Sequence, residues 1–457
     1  MKANPLLVAL VLLVVLGGAV YYTRENPPEI GESKPALLKT EEKNVQELVI
    51  RKQDGETIGV RRGEDEKWQF LPPIEVAADD GQIGFLVANL SKMDADRVVK
   101  DTVESWGPFG LEGDGSMSLD VKLKEGEPRK IIFGADTPTG SGVFARIDGD
   151  PRLMTAYAYT KTSFDKKLFD LRDKRMLRVE ADKISGLKLK VGGSVFDLSK
   201  GADSDWRITA PRSLRADNFT VDDLARAAYS AEMTTILEEG EPSGAFSFSN
   251  PLAEVEIVDD VGAHALVVAK GEGDKYYAKS SDLDGVYEVG ATLAESLGKD
   301  LDELRNKKPF DFGFTTVKSL SVRDGETVSL FERSGEKWLL ASDNGREMSA
   351  GLVQTLIDSL RNLTAVSFPP EDGAGYGLDA PEIEAEVLLD EEAAVPEKVL
   401  ISSLSADRVY AQRDGEPAVY EIEKAPAEEI RRALDDALKV DAATEAEARE
   451  DADAADE

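Results

Sequence analysis

The sequence predicts an α+β protein of three tandem modules, each an antiparallel sheet with one main packed helix, preceded by one N-terminal transmembrane helix. Two observations support this prediction. A set of short features recurs three times at a nearly constant interval, and an uncharged apolar run stands near the N-terminus. The length of 457 residues agrees with about three domains, because a typical domain has roughly 100–200 residues.

Each copy begins with alternating apolar and polar residues, a turn, and a tryptophan near the end of a strand. The tryptophans are Trp68, Trp206 and Trp338, and the two intervals between them are nearly equal. Alternation with a period of two is typical of half-buried strands, so each copy opens with antiparallel strands. We expect the tryptophans to anchor the core against the following helix, and ligand stacking is the alternative.

One helix is predicted after each tryptophan, because apolar residues recur there at helical spacing behind a polar N-cap residue. The expected N-caps repeat the same two intervals: Asp79, Asp217 and Ser349. The residues expected on the buried helix faces are Ile83, Leu86, Val87 and Leu90 in the first copy, Val221, Leu224 and Ala228 in the second, and Leu352, Leu356 and Leu360 in the third.

A second group of strands closes each copy and contains a triplet with a central alanine. The triplets are FAR at 144–146, YAK at 277–279 and YAQ at 410–412, which are equally spaced along the chain. Copies one and two end in DLRDKR at 170–175 and ELRNKK at 303–308, whereas a helix over 426–440 ends the third. The order strands, helix, strands is typical of an α+β module.

These features divide the chain into six parts. The predicted parts are an anchor or signal sequence over 1–24, a linker over 25–43, modules over 44–178, 179–312 and 313–440, and a disordered acidic tail over 441–457. Prolines at positions 27, 28 and 35 favour an extended spacer in the linker. The tail is rich in Ala, Asp and Glu and has no apolar face.

The apolar run LLVALVLLVVLGGAVYY at 6–22 predicts attachment to a membrane. Its length is near the lower limit for crossing a bilayer core. An uncleaved anchor is favoured, and a signal peptide cleaved behind the small residues Gly17 and Ala19 is the alternative. With Lys2 before the run, we expect a single-pass protein of the bacterial inner membrane with its body in the periplasm or otherwise outside the cytoplasm.

The charge and the residue types exclude several classes of function. The formal net charge of -34 repels phosphates, so no nucleic-acid partner is expected. The chain has no cysteine, which excludes disulfides, thiolate metal sites and cysteine nucleophiles. No glycine motif for phosphate binding is present, so an ATPase activity is not expected.

We predict no catalytic residues, no cofactor and no metal site. His264 is the only histidine, and a surface or strand-edge position is favoured over a role as general base. The segment DLDG at 282–285 resembles part of a calcium loop but lacks the distal glutamate, which favours a solvated turn. GSG at 140–142 is expected to be a flexible hairpin. The basic residues of DLRDKR and ELRNKK favour pairing at a helix end over the docking of an acidic partner.

In combination, these features resemble the bacterial "domain of unknown function 4340" family. The resemblance rests on the strand–turn–strand–Trp opening, the loops FGLEGD at 109–114 and YGLDAP at 376–381, the FAR or YAK strand and the closing DLRDKR. Copy two departs from it with FSFSNP at 246–251. Members are typically exported with one N-terminal hydrophobic segment, and some are associated with ABC-type transport systems or gliding-motility components. The resemblance implies an accessory role in the cell envelope and supplies no catalytic residue.

The expected function is therefore a noncatalytic, membrane-anchored extracytoplasmic accessory or scaffold protein, associated with an ABC-type transport or gliding-type envelope system. Its expected partners are envelope or membrane proteins, and the sequence carries no signal of oligomeric state. Two alternatives remain open: a cation-dependent surface or adhesion protein, and a carboxylate-dependent hydrolase of an envelope polymer.

Overall fold

The computed structural model describes residues 34–237, 247–370, 375–391 and 394–439. The predicted anchor over 1–24 and the predicted acidic tail over 441–457 lie outside these residues. The chain divides into two compact units, of which the first ends at Lys174 and the second begins at Arg175. No helix among the described residues is long and apolar enough to cross a membrane.

Module 1 (residues 34–174) contains ten strands and three helices. The strands are β1 (Ala36–Lys39), β2 (Val45–Arg51), β3 (Thr57–Arg62), β4 (Trp68–Phe70), β5 (Lys92–Asp94), β6 (Arg97–Lys100), β7 (Met117–Leu123), β8 (Arg129–Asp136), β9 (Gly142–Ile147) and β10 (Leu153–Tyr157). The helices are α1 (Asp80–Ser91), α2 (Ala158–Thr162) and α3 (Leu168–Leu171). Eight strands form one antiparallel sheet in the order β4-β3-β2-β7-β8-β9-β10-β6, and β1 pairs with β5 in a separate two-stranded sheet.

Module 2 (residues 175–306) repeats this arrangement among its described residues. Its strands are β11 (Gly186–Val191), β12 (Ser194–Lys200), β13 (Trp206–Ala210), β14 (Leu214–Arg215), β15 (Met233–Ile236), β16 (Ala253–Val258), β17 (Ala263–Lys270), β18 (Tyr276–Ser280) and β19 (Tyr287–Val289). Its helices are α4 (Asn218–Tyr229), α5 (Ala291–Leu297) and α6 (Leu301–Leu304). The sheet order is β14-β13-β12-β11-β16-β17-β18-β19-β15.

Module 3 (residues 307–439) again has a nine-stranded sheet. Its strands are β20 (Val317–Asp324), β21 (Thr327–Ser334), β22 (Lys337–Leu340), β23 (Arg346–Met348), β24 (Ala365–Ser367), β25 (Ile383–Leu389), β26 (Glu397–Ile401), β27 (Val409–Arg413) and β28 (Val419–Ile422). Its helices are α7 (Ala350–Asn362) and α8 (Lys424–Leu438). The sheet order is β23-β22-β21-β20-β25-β26-β27-β28-β24.

The three large sheets share one topology. In each, the opening strands lie in reverse order, four later strands follow in chain order, and the strand after the main helix completes the far edge. Modules 2 and 3 add one short strand at the near edge. The chain is thus an α+β protein of antiparallel sheets with eight or nine strands, and α1, α4 and α7 are the main helices.

The main helices begin where the N-cap pattern predicts. The side chain of Asp79 accepts a hydrogen bond from the amide of Gln82, and Asp217 accepts one from Thr220. The predicted side-chain cap at Ser349 is wrong: α7 begins after this residue, but its hydroxyl accepts no hydrogen bond from the first turn. The backbone carbonyl of Ser349 accepts from the first-turn amides instead.

The apolar faces of the main helices are buried as predicted in modules 1 and 2. In module 3, Leu356 and Leu360 are buried as predicted and Leu352 is not. The buried residues are Ile83, Leu86, Val87 and Leu90 on α1, Val221, Leu224, Ala225 and Ala228 on α4, and Val353, Leu356, Ile357 and Leu360 on α7. Leu352 is only half-buried. Val353, next in the chain, occupies the position that Val221 has in α4.

The tryptophans are core residues. Trp68, Trp206 and Trp338 are all at least 95% buried. The backbone amide of Trp206 donates to the side chain of Asn218, the first residue of α4, and its indole N–H donates to Asp222. The tryptophan therefore fixes the start of the main helix against the end of the opening strands.

A short stretch at the start of each module, which we call its entering segment, completes the fold of that module. In module 1 it contains β1 (Ala36–Lys39). Residues 25–43 are predicted to form a spacer, but Ala36–Lys39 form β1, which pairs with β5 directly after α1. Leu37 and Leu38 are buried in the core. The alternative to burial, two exposed leucines next to an apolar core, is unfavourable by roughly 1.5–3 kcal/mol for each side chain.

Equivalent entering segments complete modules 2 and 3. In module 2, the amide of Met176 donates to the carbonyl of Ala231, and Met176 and Leu177 are buried. In module 3, the carbonyl of Lys307 accepts from Ala365. The residues after the basic motifs DLRDKR and ELRNKK thus belong to the next module, so our modules 2 and 3 begin earlier than the sequence pattern predicts.

The role of the tryptophans can be tested by truncation. Trp206→Ala should lower the free energy of unfolding by about 3–5 kcal/mol, because it removes a large buried side chain and leaves a cavity. Urea unfolding followed by circular dichroism measures this change. Phe219→Ala is the control, since Phe219 lies on the same helix and is 75% exposed; a change within about 0.5 kcal/mol is expected. Equal effects of the two substitutions would contradict the core role.

Candidate functional site

The only histidine lies between two carboxylates. His264 is on β17, an inner strand of its sheet, and its side chain is only 12% exposed. Its Nδ1 lies 2.8 Å from Oδ2 of Asp282, and its Nε2 lies 3.4 Å from Oδ1 of Asp259. The prediction of a surface or strand-edge histidine is therefore wrong, because neighbouring strands and loops cover the ring on both sides. We call these three residues the histidine cluster.

The histidine cluster binds the entering segment of module 2. Oδ2 of Asp282 also accepts a hydrogen bond of 2.6 Å from the backbone amide of Arg178. The hydroxyl of Ser280 donates to the carbonyl of Met176. Two polar groups of the entering segment are thereby satisfied by the last strands of the same module. A hydrogen bond within the protein contributes about 1 kcal/mol to the net stability.

The two carboxylates of this cluster are held in the ionised form. Burial acts to raise the pKa of Asp282, but the Arg178 amide, the Ser281 hydroxyl and His264 together lower it. Burial likewise opposes a lower pKa at Asp259, and the amides of Gly262 and Val261 outweigh it. Oδ2 of Asp259 and Nε2 of His264 are buried without a hydrogen-bond partner among the described atoms.

Module 3 performs the same task with different residues. The backbone amide of Asp311 stands one repeat interval after that of Arg178 and donates to Oε2 of Glu397 at 2.8 Å. By strand register, Glu397 occupies the position of His264. Its partner is Arg413, whose guanidinium donates to the same oxygen at 2.8 Å. In module 2 the carboxylate comes from the loop after β18 and in module 3 from the strand equivalent to β17, but the bound amide is equivalent.

A second polar group, the arginine cluster, joins modules 2 and 3. Arg215 at the end of β14 donates to Glu416 at 2.6 Å, Asp311 at 2.9 Å and the hydroxyl of Tyr420 at 2.8 Å. It also donates to the carbonyl of Lys308 at 2.7 Å. The arginine side chain is 14% exposed, so these bonds are shielded from water. The cluster fixes the edge strand of module 2 to the last hairpin of module 3.

The groups around Arg215 stabilise its positive charge. Burial acts to lower the pKa of Arg215, but Tyr420, Glu416 and Asp311 outweigh it and raise that pKa. Burial, together with Glu416, raises the pKa of Tyr420 to about 12. Arg215 is therefore charged and Tyr420 is neutral at any physiological pH. Burial raises the pKa of Asp311 in the same cluster.

The other predicted positions are structural as well. In DLDG at 282–285, Asp282 binds His264, and the carbonyl of Asp284 accepts from the hydroxyl of Tyr287 at 2.6 Å. The expectation of a solvated turn is thus wrong for Asp282 and agrees with the exposure of Asp284. GSG at 140–142 lies in the turn between β8 and β9, with Gly140 at a φ of 71°. Within the residues that the structure describes, no group of three or more His, Asp or Glu side chains is placed to hold a metal ion.

Each of the two basic motifs places one arginine in the protein interior. Arg172 of DLRDKR and Arg305 of ELRNKK are 7% and 3% exposed. The guanidinium of Arg305 lies 3.6 Å from the ring centroid of Phe368 and 3.7 Å from a carboxylate oxygen of Asp302. These two arginines are therefore not available to dock an acidic partner, and pairing near the helix end is the better interpretation.

One surface feature is not explained by packing within a module. A groove of about 780 Å³ runs along α1 and α2 of module 1. Phe85, Tyr157 and Tyr159 line it and are 60%, 38% and 69% exposed. Large aromatic side chains at the edge of a concave surface are typical of a site that another molecule covers. No sequence pattern predicts this groove. The one local sign of it is Phe85, an aromatic residue on the polar side of its helix.

The arginine cluster gives a testable prediction. Arg215→Met should lower the free energy of unfolding of the second compact unit by about 3–5 kcal/mol, because Glu416 and Asp311 lose a shielded cation. Arg207→Met on the adjacent strand β13 is the control, since Arg207 is half exposed and pairs with Asp203. We expect less than about 1 kcal/mol there. Chemical denaturation measures both, and an equally small effect of Arg215→Met would contradict the assigned role.

The histidine cluster predicts that the stability of the fold decreases in acid. Because the pKa of Asp282 is lower in the folded protein, its contribution to stability is present above the unfolded value of about 3.9 and is lost as the pH falls through the folded value. Urea unfolding at about pH 6 and about pH 3 should therefore show a smaller acid-induced loss in Asp282→Asn than in the natural chain. Asp284→Asn, two residues away and exposed, should behave like the natural chain. A smaller acid-induced loss in Asp284→Asn than in Asp282→Asn would contradict the structural role of Asp282.

The comparisons with known proteins agree with the repeated landmarks. The model of the family "Domain of unknown function (DUF4340)" matches residues 68–205 and 206–381, two adjacent segments that together cover more than half of the chain. The segments begin at Trp68 and Trp206, one repeat interval apart. No curated protein matches the chain. The protein therefore belongs to the DUF4340 family.

Proposed function

We propose that this protein is a noncatalytic, membrane-anchored accessory or scaffold protein whose three modules arose by triplication and lie outside the cytoplasm. The observation that carries the proposal is the histidine cluster. The one residue type best suited to acid–base chemistry at neutral pH pairs with Asp282, the carboxylate that accepts from the Arg178 amide. In module 3, Glu397 accepts from the equivalent amide and pairs with Arg413. A role that survives this exchange of residues is structural.

The junction between modules 2 and 3 supports the proposal further. A scaffold has to present its surfaces in a fixed arrangement. The arginine cluster fixes two modules by hydrogen bonds from a largely buried guanidinium that stays charged near neutral pH. The two modules also lie in one compact unit.

The cellular setting follows from the sequence. The apolar run at 6–22 would hold the chain in the inner membrane, with the acidic body in the periplasm. The partners would be envelope or membrane proteins. In an ABC-type transport system, the ATPase would be another chain, because this sequence has no motif for binding the phosphates of ATP.

Recovery of partners from mildly solubilised membranes tests this proposal. We expect the full chain to co-purify with defined membrane proteins in constant ratio, and the same partners to be recovered with His264→Gln after correction for the folded fraction. The natural chain and the variant should be compared at a temperature where both remain folded. Recovery of the natural chain alone from several detergents, or loss of an enzymatic activity in folded His264→Gln, would contradict it.

A further inference from the structure

The module 1 groove lies where the other modules place a helix. Helices α2, α5 and α8 each begin directly after the last chain-order strand of their sheet, at Ala158, Ala291 and Lys424. These positions are equally spaced, at the same interval that separates the FAR, YAK and YAQ triplets. The three helices are therefore equivalent elements of the three modules.

The equivalent helices differ in length. Helix α8 has 15 residues and packs against the main helix α7, and it buries five apolar side chains: Ala427, Ile430, Ala433, Leu434 and Ala437. Helix α5 has seven residues and packs against α4. Helix α2 has only five residues, and none of them is buried. The groove along α1 is the space that a longer helix would fill.

The residues that line the groove favour an apolar ligand. Phe85 on α1 corresponds to Asp223 on α4 and Thr355 on α7, so an aromatic side chain stands at this position only in the module whose covering helix is shortest. Tyr157 and Tyr159 stack on each other with ring centroids 5.5 Å apart. Nζ of Lys34 lies 4.7 Å from the ring centroid of Tyr157 and donates to its hydroxyl, so the pair is exposed chiefly through Tyr159. An amphipathic helix laid in a groove binds through such contacts.

Charge and position narrow the choice of ligand. The groove is lined by Lys34 and Lys92 against one carboxylate, Asp94, although the whole chain carries a net charge of -34. Acidic side chains at the edge of the ligand would face these lysines. Eleven residues separate the apolar run, which ends at Tyr22, from Lys34 at the edge of the groove. A chain of that length reaches at most about 40 Å, so the groove would stay close to the membrane surface.

We propose that the module 1 groove binds an amphipathic helix from the membrane-proximal part of a partner membrane protein. The apolar face of that helix contacts Phe85, Tyr157 and Tyr159, and its acidic residues face Lys34 and Lys92. The bound helix takes the place that α8 occupies in module 3. This inference rests on the proposed function, because it requires that the chain is attached to the membrane and has a protein partner there.

Site-specific photocross-linking in intact membranes tests the inference. The full chain would carry p-benzoylphenylalanine in place of Phe85, and a matched control would carry it in place of Phe219, which is 75% exposed on the equivalent helix of module 2. We expect cross-links from position 85, but not from 219, to an acidic amphipathic segment next to a membrane span of another protein. Peptide mapping by mass spectrometry identifies that segment.

A variant gives an independent measurement. Phe85→Asp installs the residue that α4 has at this position, so the fold should be retained, which a thermal melt verifies. The yield of the natural partner in co-purification should fall by about tenfold or more, as for the loss of one central aromatic contact. Phe219→Asp should leave it unchanged.

Several outcomes would overturn the inference. These are cross-links from position 85 to residues 23–33 of the same chain, to a second copy or to lipid, or a yield no higher than from position 219. If partners still co-purify in that case, the groove assignment fails and the scaffold proposal stands. If the natural chain recovers no partner at all, the scaffold proposal itself fails.

Discussion

The structure depends on one constraint: no module is complete without the segment that enters it. Each entering segment adds backbone pairing beside the end of the main helix and buries apolar side chains, among them Leu37, Met176 and Phe310. Its backbone N–H groups also need hydrogen-bond partners, and those of Arg178 and Asp311 find them in side chains of the same module. The carboxylates of Asp282 and Glu397 supply these acceptors, and they pair in turn with His264 and Arg413.

This constraint explains why polar residues that suggest chemistry serve packing. An ionised carboxylate in the interior is unfavourable unless it is paired and hydrogen-bonded. Either histidine or arginine can be the partner of that carboxylate, provided that the carboxylate reaches the amide. The residues of the three modules have therefore diverged while the connection is kept in modules 2 and 3. Arg215 extends the same principle to the junction between these modules, where one guanidinium binds groups from two segments of module 3.

Local patterns predicted much of the fold. The tryptophans, the main helices and the order of strands follow from periodicity and capping within short stretches, as at Asp79 and Asp217. The entering segments could not be predicted from local patterns, because β1 is short and its partner β5 comes only after three further strands and the main helix. A weak signal is present in retrospect, since a lysine stands two or three residues before the buried Leu37, Met176 and Phe310. His264 was misplaced for a similar reason: a later loop brings Asp282 over its ring, which no local pattern encodes.

The link between this fold and a scaffold function is one physical interaction: carboxylates in modules 2 and 3 hold the backbone of the entering segments. Hydrogen exchange at the amides of Arg178 and Asp311, resolved by residue, tests this claim most directly. Both amides should exchange as slowly as their neighbours in the paired strands, and replacing Asp282 by asparagine should speed exchange at Arg178 alone. Exchange of both amides at the rate of an exposed loop in the natural protein would contradict the claim.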